Sequence, residues 1–171
     1  MIVVGWRKVL ASVCLSLLLL LTACSTQSPP SYYDQVQEDT TGSNATQAVS
    51  KEAVQGSNFN RLFPESTDGY AVVPAQEKRG FAEYKLNHDG STVAMLSVND
   101  TVSNPEAAVK YATTTRQVGG YPAVDIGNTQ TAILVAGRFQ VKVQSRDESF
   151  AQSDREAWIE KFNLSELAQL Q

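Results

Sequence analysis

The sequence is poor in the side chains on which most site chemistry depends: its 171 residues include one histidine, His88, and two cysteines, Cys14 and Cys24. A single histidine excludes multi-His zinc centres and leaves one candidate base for a Ser-His-Asp arrangement. That base stands in a turn-rich tetrapeptide, Asn87-His88-Asp89-Gly90, whose consecutive residues do not converge on one substrate atom. No Gly-x-Ser-x-Gly elbow accompanies it, and phosphate loops, dinucleotide fingerprints and calcium-loop spacing are also missing. Asp89, Asp100 and Asp125 occur where turns and strand ends favour acids, and read as surface groups rather than as a convergent cation site. Basic charge is short as well. Lys and Arg total 14 against 18 Asp and Glu, a net charge of −4, which is not the basic balance of a nucleic-acid binder. The chain is therefore read as a non-enzyme with no catalytic residue, metal ligand or cofactor and no nucleic-acid partner.

Long apolar runs are lacking everywhere except near the start, where Val9 to Leu21 follow Arg7-Lys8. This stretch of 13 residues spans only ~20 Å as a helix, less than the ~30 Å hydrocarbon core, so residues 1–23 read as an export signal rather than a spanning helix. Leu21-Thr22-Ala23-Cys24 resembles the lipobox of bacterial lipoprotein precursors, in which a Cys follows one aliphatic and two small residues. The resemblance covers about the first 25 residues. It implies that a dedicated peptidase cuts before Cys24, that the Cys24 thiol carries diacylglycerol and that the freed amine is acylated. Two or three acyl chains, at ~0.8 kcal/mol per buried methylene, hold a protein firmly on a membrane. Within that family the residue after the Cys influences sorting, and Ser25 is not the Asp associated with inner-membrane retention; the resemblance implies outer-membrane delivery facing the periplasm. An ordinary secretory signal with an incidental Cys24 is the alternative. Cys14 lies within the segment that would be removed, so no intrachain disulfide is expected.

Between Ser25 and Gly56 there is no Leu, Ile, Phe, Met or Trp. Such a segment buries too little apolar area to offset its ordering entropy, so residues 24–56 read as the lipidated Cys and a flexible polar linker. Pro29-Pro30 stiffens its beginning.

Residues 57–171 have the size and aromatic content of a single domain. Gly80–Asn87 and Ser91–Asn99 alternate apolar and polar residues around Asp89-Gly90, the signature of a tight hairpin. Thr129–Val135 and Arg138–Ser145 do the same around Ala136-Gly137. A helix is expected after each hairpin: one from Ser103-Asn104-Pro105-Glu106, with Tyr111 on its apolar side, the other from Ser153-Asp154-Arg155-Glu156, with Trp158, Ile159 and Phe162 as a buried stripe. Asn163 should end the second helix and let Leu164, Leu167 and Leu170 pack back. Ala123–Ile126 reads as a short strand, and Tyr70–Val73 as a first strand that Pro74 ends or places at an edge. The predicted fold is α+β: an antiparallel sheet of about five or six strands, two main helices packed on one face, and a ββα pseudo-repeat across the two halves.

Arg138, Gln140, Lys142, Gln144 and Arg146 alternate along one strand and form a row of long polar and cationic side chains. The row reads either as the solvated side of the sheet or as a surface for an acidic envelope partner. The whole sequence suggests a membrane-anchored interaction module, with binding of a small ligand or envelope polymer as the alternative; Tyr70, Tyr84, Tyr111 and Tyr121 are candidate pocket linings or core aromatics. Lipid anchoring has a direct test: a Cys24→Ala variant should leave the salt-washed membrane fraction, whereas full retention would show that lipid on Cys24 is not the anchor.

Overall fold

The computed structural model describes residues 49–67 and 69–170; the export segment, Cys24 and the linker through residue 48 lie outside the described residues. Seven strands form one antiparallel sheet: β1 (Tyr70–Lys78), β2 (Phe81–His88), β3 (Ser91–Asp100), β4 (Gln117–Val118), β5 (Tyr121–Ile126), β6 (Gln130–Val135) and β7 (Phe139–Ser145), in the order β1-β2-β3-β7-β6-β5-β4. Two meanders thus meet at the β3–β7 pair, where Leu96 faces Val143 and Val98 faces Val141. The tight turns have the expected chemistry. Asp89 and Gly90 take φ of 48° and 78°, and Ala136 and Gly137 take 51° and 68°, the positive values that a two-residue hairpin of matching twist requires.

Alternation then assigns the faces. Ala82, Leu86, Leu96, Val98, Ile133, Val135, Phe139, Val141 and Val143 are buried together with Trp158, Ile159 and Phe162. That face is covered by a 3-10 helix (Gly56–Leu62), by α2 (Gln152–Glu160) and by α3 (Leu164–Leu167). Aromatic rings knit the layer: Phe59 meets Phe139 edge-on at 6.0 Å, and Phe63 stacks on Tyr84 at 4.1 Å. Asn163 caps α3 by accepting from the Glu166 N–H at 3.2 Å.

The expected sheet needs correction in three respects. It has a seventh strand, β4, paired with β5, and β1 runs on through Pro74 to Lys78 instead of ending at Val73. Pro74 is tolerated there since β1 is an edge strand with a register shift between Pro74 and Gln76. The helices also do not share a face. The first is a single turn, α1 (Glu106–Val109), and Tyr111 beyond it is buried with Ala132 and Leu134, the alternate side chains to Ile133 and Val135. Its Ala-rich face has too little apolar bulk to join the main core. Each of the β2–β3 and β6–β7 hairpins is followed by a helix, but one lies on each side of the sheet.

Residues 50–56, read from the sequence as the end of the linker, are docked on the sheet. Ala53 and Val54 are buried, and a side chain on Gly56 would run into the Lys78 and Phe81 carbonyl oxygens. The tie is polar, which is why hydrophobic patterning does not reveal it. Asp100, whose side chain is fully buried, accepts from the Val54 N–H at 2.9 Å, from the Val102 N–H at 3.1 Å and from Arg138 through Nε at 2.9 Å and Nη2 at 2.7 Å. Arg138 also donates to the Glu52 carbonyl at 3.0 Å, and Arg79 donates to the Lys51 and Ala53 carbonyls, each at 3.2 Å.

Burial alone would raise the Asp100 pKa, but the bonds from Arg138, Val54 and Val102 and the Arg138 charge outweigh it and hold the carboxyl below its ordinary value. A depressed folded-state pKa stabilises the fold above the unfolded carboxylate pKa, about 3.9, and that stability is lost as pH falls through the lower folded value. Asp100→Ala leaves Arg138 and two backbone N–H groups without their acceptor and should cost about 3 kcal/mol in urea unfolding at neutral pH, with a shallower loss of stability below about pH 4 than in the parent.

Candidate functional site

The turn between β5 and β6 and the loop from β7 to α2 meet at one end of the sheet. Gly127, with φ of 60°, supplies the turn conformation that a side chain disfavours. In the opposite loop Asp147 accepts from both the N–H and the hydroxyl of Ser149, at 2.8 and 2.6 Å, and these bonds lower its pKa. Phe150 turns inward and is buried. The Ser145 N–H donates to the Thr129 carbonyl at 2.8 Å, which joins the two loops at their base. Between them lies a cleft of about 460 Å³, lined by both loops and by Asp125, Ser145, Gln152 and Arg155. That is within the size range of small-molecule sites.

Its floor is Arg155. The position follows from the helix: α2 begins at Gln152, two residues earlier than a helix capped by Ser153 would, and Asp154 reaches back to accept from the Ala151 N–H at 2.7 Å. Residue 155 then falls one turn before Trp158 and Ile159, on the face that packs on the sheet. Arg155 is only 4% exposed. Its Nε donates to Thr131 Oγ1 and its Nη1 to Ser145 Oγ, each at 3.0 Å. Both hydroxyls pass their own protons on, Thr131 to Asp125 Oδ1 at 2.7 Å and Ser145 to the Phe150 carbonyl at 2.6 Å. Among the described residues no carboxylate lies within 4.0 Å of the Arg155 guanidinium. Nη2 makes no hydrogen bond to a described residue, yet among the described residues no buried side-chain nitrogen is left unpartnered, so Nη2 opens to the cleft.

Asp125 does not neutralise this charge directly because it is already engaged. Arg116 donates to Asp125 Oδ2 at 2.6 Å and also pairs with Glu156; Gln152 bridges the same two acids at 3.3 and 3.0 Å. Burial pushes the Asp125 pKa up, but Thr131, Arg116 and the charges of Arg116 and Arg155 together bring it below the usual value. The outcome is a cation held on neutral hydroxyls, beneath an opening whose rim carries Asp147 and Glu148.

The residues expected from the sequence are distributed differently. The row on β7 is not continuous at the surface: Arg138 belongs to the Asp100 clasp, and Gln140 Nε2 donates to the Tyr111 hydroxyl at 2.8 Å. Burial raises that phenol's pKa to about 12, with the Gln140 bond acting in the opposite direction. Lys142, Gln144 and Arg146 remain at least partly accessible. Lys142 faces Lys110, whose pKa is lowered first by burial and then by this neighbouring charge. His88 stacks on Tyr70 with ring centroids 4.3 Å apart, and its Nδ1 is 3.5 Å from Asp89 Oδ2. None of Tyr70, Tyr84, Tyr111 and Tyr121 lines the cleft. Asp89, Asp100 and Asp125 stand in three separate settings, a turn, a clasp and the Arg116 network. Cys24 lies outside the described residues.

Arg155 and its hydroxyl partners were not singled out by sequence reading, which treated Ser153-Asp154-Arg155-Glu156 as capping chemistry. The available signal was a cation at the position where the Trp158-Ile159 stripe, extended back one turn, calls for an apolar residue. No protein-family model, curated protein or solved structure matches the chain.

Replacing Thr131 by Val removes the link between Arg155 and Asp125 while keeping the side-chain shape. Thr131→Val should lower stability by about 1–3 kcal/mol and raise the Asp125 pKa, read by carboxyl NMR titration. An unchanged Asp125 titration would show that Thr131 does not couple the two charges.

Proposed function

We propose that the chain is a lipid-anchored protein of the bacterial envelope, tethered through Cys24 at the outer membrane with its domain facing the periplasm, and that the domain binds its target without transforming it. The anchor and location rest on the lipobox resemblance of Leu21-Thr22-Ala23-Cys24. No helix among the described residues is long and apolar enough to cross a membrane.

The observation that carries the binding reading is the cleft over Arg155: a concave polar opening with one buried cation at its base, which has the form of a recognition site for a small ligand or a group of an envelope polymer. Its position favours this reading over a protein docked on the β7 row, since Arg138 and Gln140 are committed within the domain. Lys142 and Arg146 remain as a secondary surface for an acidic partner protein.

In-cell crosslinking of the tagged, lipidated protein followed by mass spectrometry separates the two. Crosslinks from Gln152 and Asn128 to glycan, peptide or small-molecule material are expected. Reproducible capture of one protein through the Lys142 and Arg146 face, abolished by Lys142→Glu with Arg146→Glu, would replace the cleft reading with the protein-partner reading.

A further inference from the structure

A buried cation without a carboxylate partner is costly unless something completes its shell. Arg155 directs Nε and Nη1 to two hydroxyls and leaves Nη2 toward the cleft. A planar guanidinium with a free terminal nitrogen matches a planar oxyanion, because carboxylate oxygens lie in the plane of its N–H groups. The rim is of opposite character. Asp147 and Glu148 line the same opening, and Asp125 and Gln152 stand beside the floor. A dianionic phosphate would meet these acids with two charges, whereas a carboxylate brings one. An ammonium group carried by the same ligand would face the acidic rim.

We propose that the cleft binds the carboxylate of a zwitterionic, amino-acid-like or short peptide ligand, with the carboxylate on Arg155 and the ammonium toward Asp147 and Glu148. This rests on the cleft reading above and names the chemistry of its ligand. Thr131 and Ser145 are positioning residues: each accepts from the guanidinium and donates elsewhere, so neither competes for the ligand's oxygens. Gln152 and Asn128 supply neutral polar contacts on the walls.

The test uses the full chain in detergent, labelled for amide and Arg Nε NMR, with four probes: alanyl-alanine, its C-terminal amide, its N-acetyl form and inorganic phosphate. Alanyl-alanine should shift Arg155 Nε and the amides of Gly127, Ser145 and Gln152 saturably, with a Kd of about 1 mM or tighter. The amide should bind at least about 10-fold more weakly, through loss of the charge-assisted bond, and phosphate should bind more weakly than the dipeptide. Arg155→Lys should lose at least about 10-fold, since an ammonium lacks the planar fork. Glu148→Gln, at an exposed position, should weaken the dipeptide but not its N-acetyl form.

Equal binding of the dipeptide and its amide, tighter binding of phosphate, or no saturation by about 10 mM dipeptide would overturn the ligand assignment. The broader cleft reading fails separately, if in-cell crosslinks from Gln152 and Asn128 capture no ligand.

Discussion

The guanidinium of Arg155 needs acceptors in a place where no carboxylate of the described residues lies within 4.0 Å, and one end of the domain is organised around that need. Thr131 and Ser145 sit on adjacent strands at the positions where their hydroxyls reach inward, and both are buried. Thr131 transmits part of the charge to Asp125, which Arg116 and Gln152 hold in turn, and Arg116 continues to Glu156 on the helix that carries Arg155. The network closes on itself through side chains of β5, β6, β7 and α2. The ties from Asp125 to the helix run through Arg116, Gln152 and Glu156, so Arg155 is left with one guanidinium nitrogen facing the cleft.

The opposite end handles a buried charge differently. Asp100 and Arg138 satisfy each other in a two-point pair, and the carboxylate also takes two backbone N–H groups. With its acceptor capacity met, that pair has a structural role: it docks the segment of residues 50–56 on the sheet. One domain thus contains a completed ion pair and an incomplete one. The completed pair explains why the cationic row on β7 is broken, and the incomplete one marks the cleft as the place where a ligand has something to add.

Much of the fold is legible in the residues, because it depends on local rules. Asp89-Gly90 and Ala136-Gly137 specify their hairpins through positive φ, and alternation puts Ala82, Leu86, Leu96, Val98, Phe139, Val141 and Val143 on the face they occupy. The Trp158-Ile159-Phe162 stripe is also buried as its spacing suggests. What escaped depends on partners distant in sequence. Docking of residues 50–56 rests on Asp100, Arg79 and Arg138, none of which leaves a mark on the segment itself. The side chosen by α1 depends on whether Tyr111 finds Ala132 and Leu134, which periodicity within the helix cannot decide. The candidate site was least legible of all: Arg155, Thr131 and Ser145 look like ordinary polar residues until β6, β7 and α2 bring them together.

The central claim is that Arg155 is kept for what enters the cleft rather than for the stability of the fold. Equilibrium urea unfolding of Arg155→Met tests it, because Met fills similar space while Thr131 and Ser145 keep Asp125 and the Phe150 carbonyl as acceptors. The account predicts a stability within about 1 kcal/mol of the parent, or higher, since removing an incompletely paired buried charge relieves its desolvation cost. A loss of about 3 kcal/mol or more would identify Arg155 as a structural keystone and contradict the account.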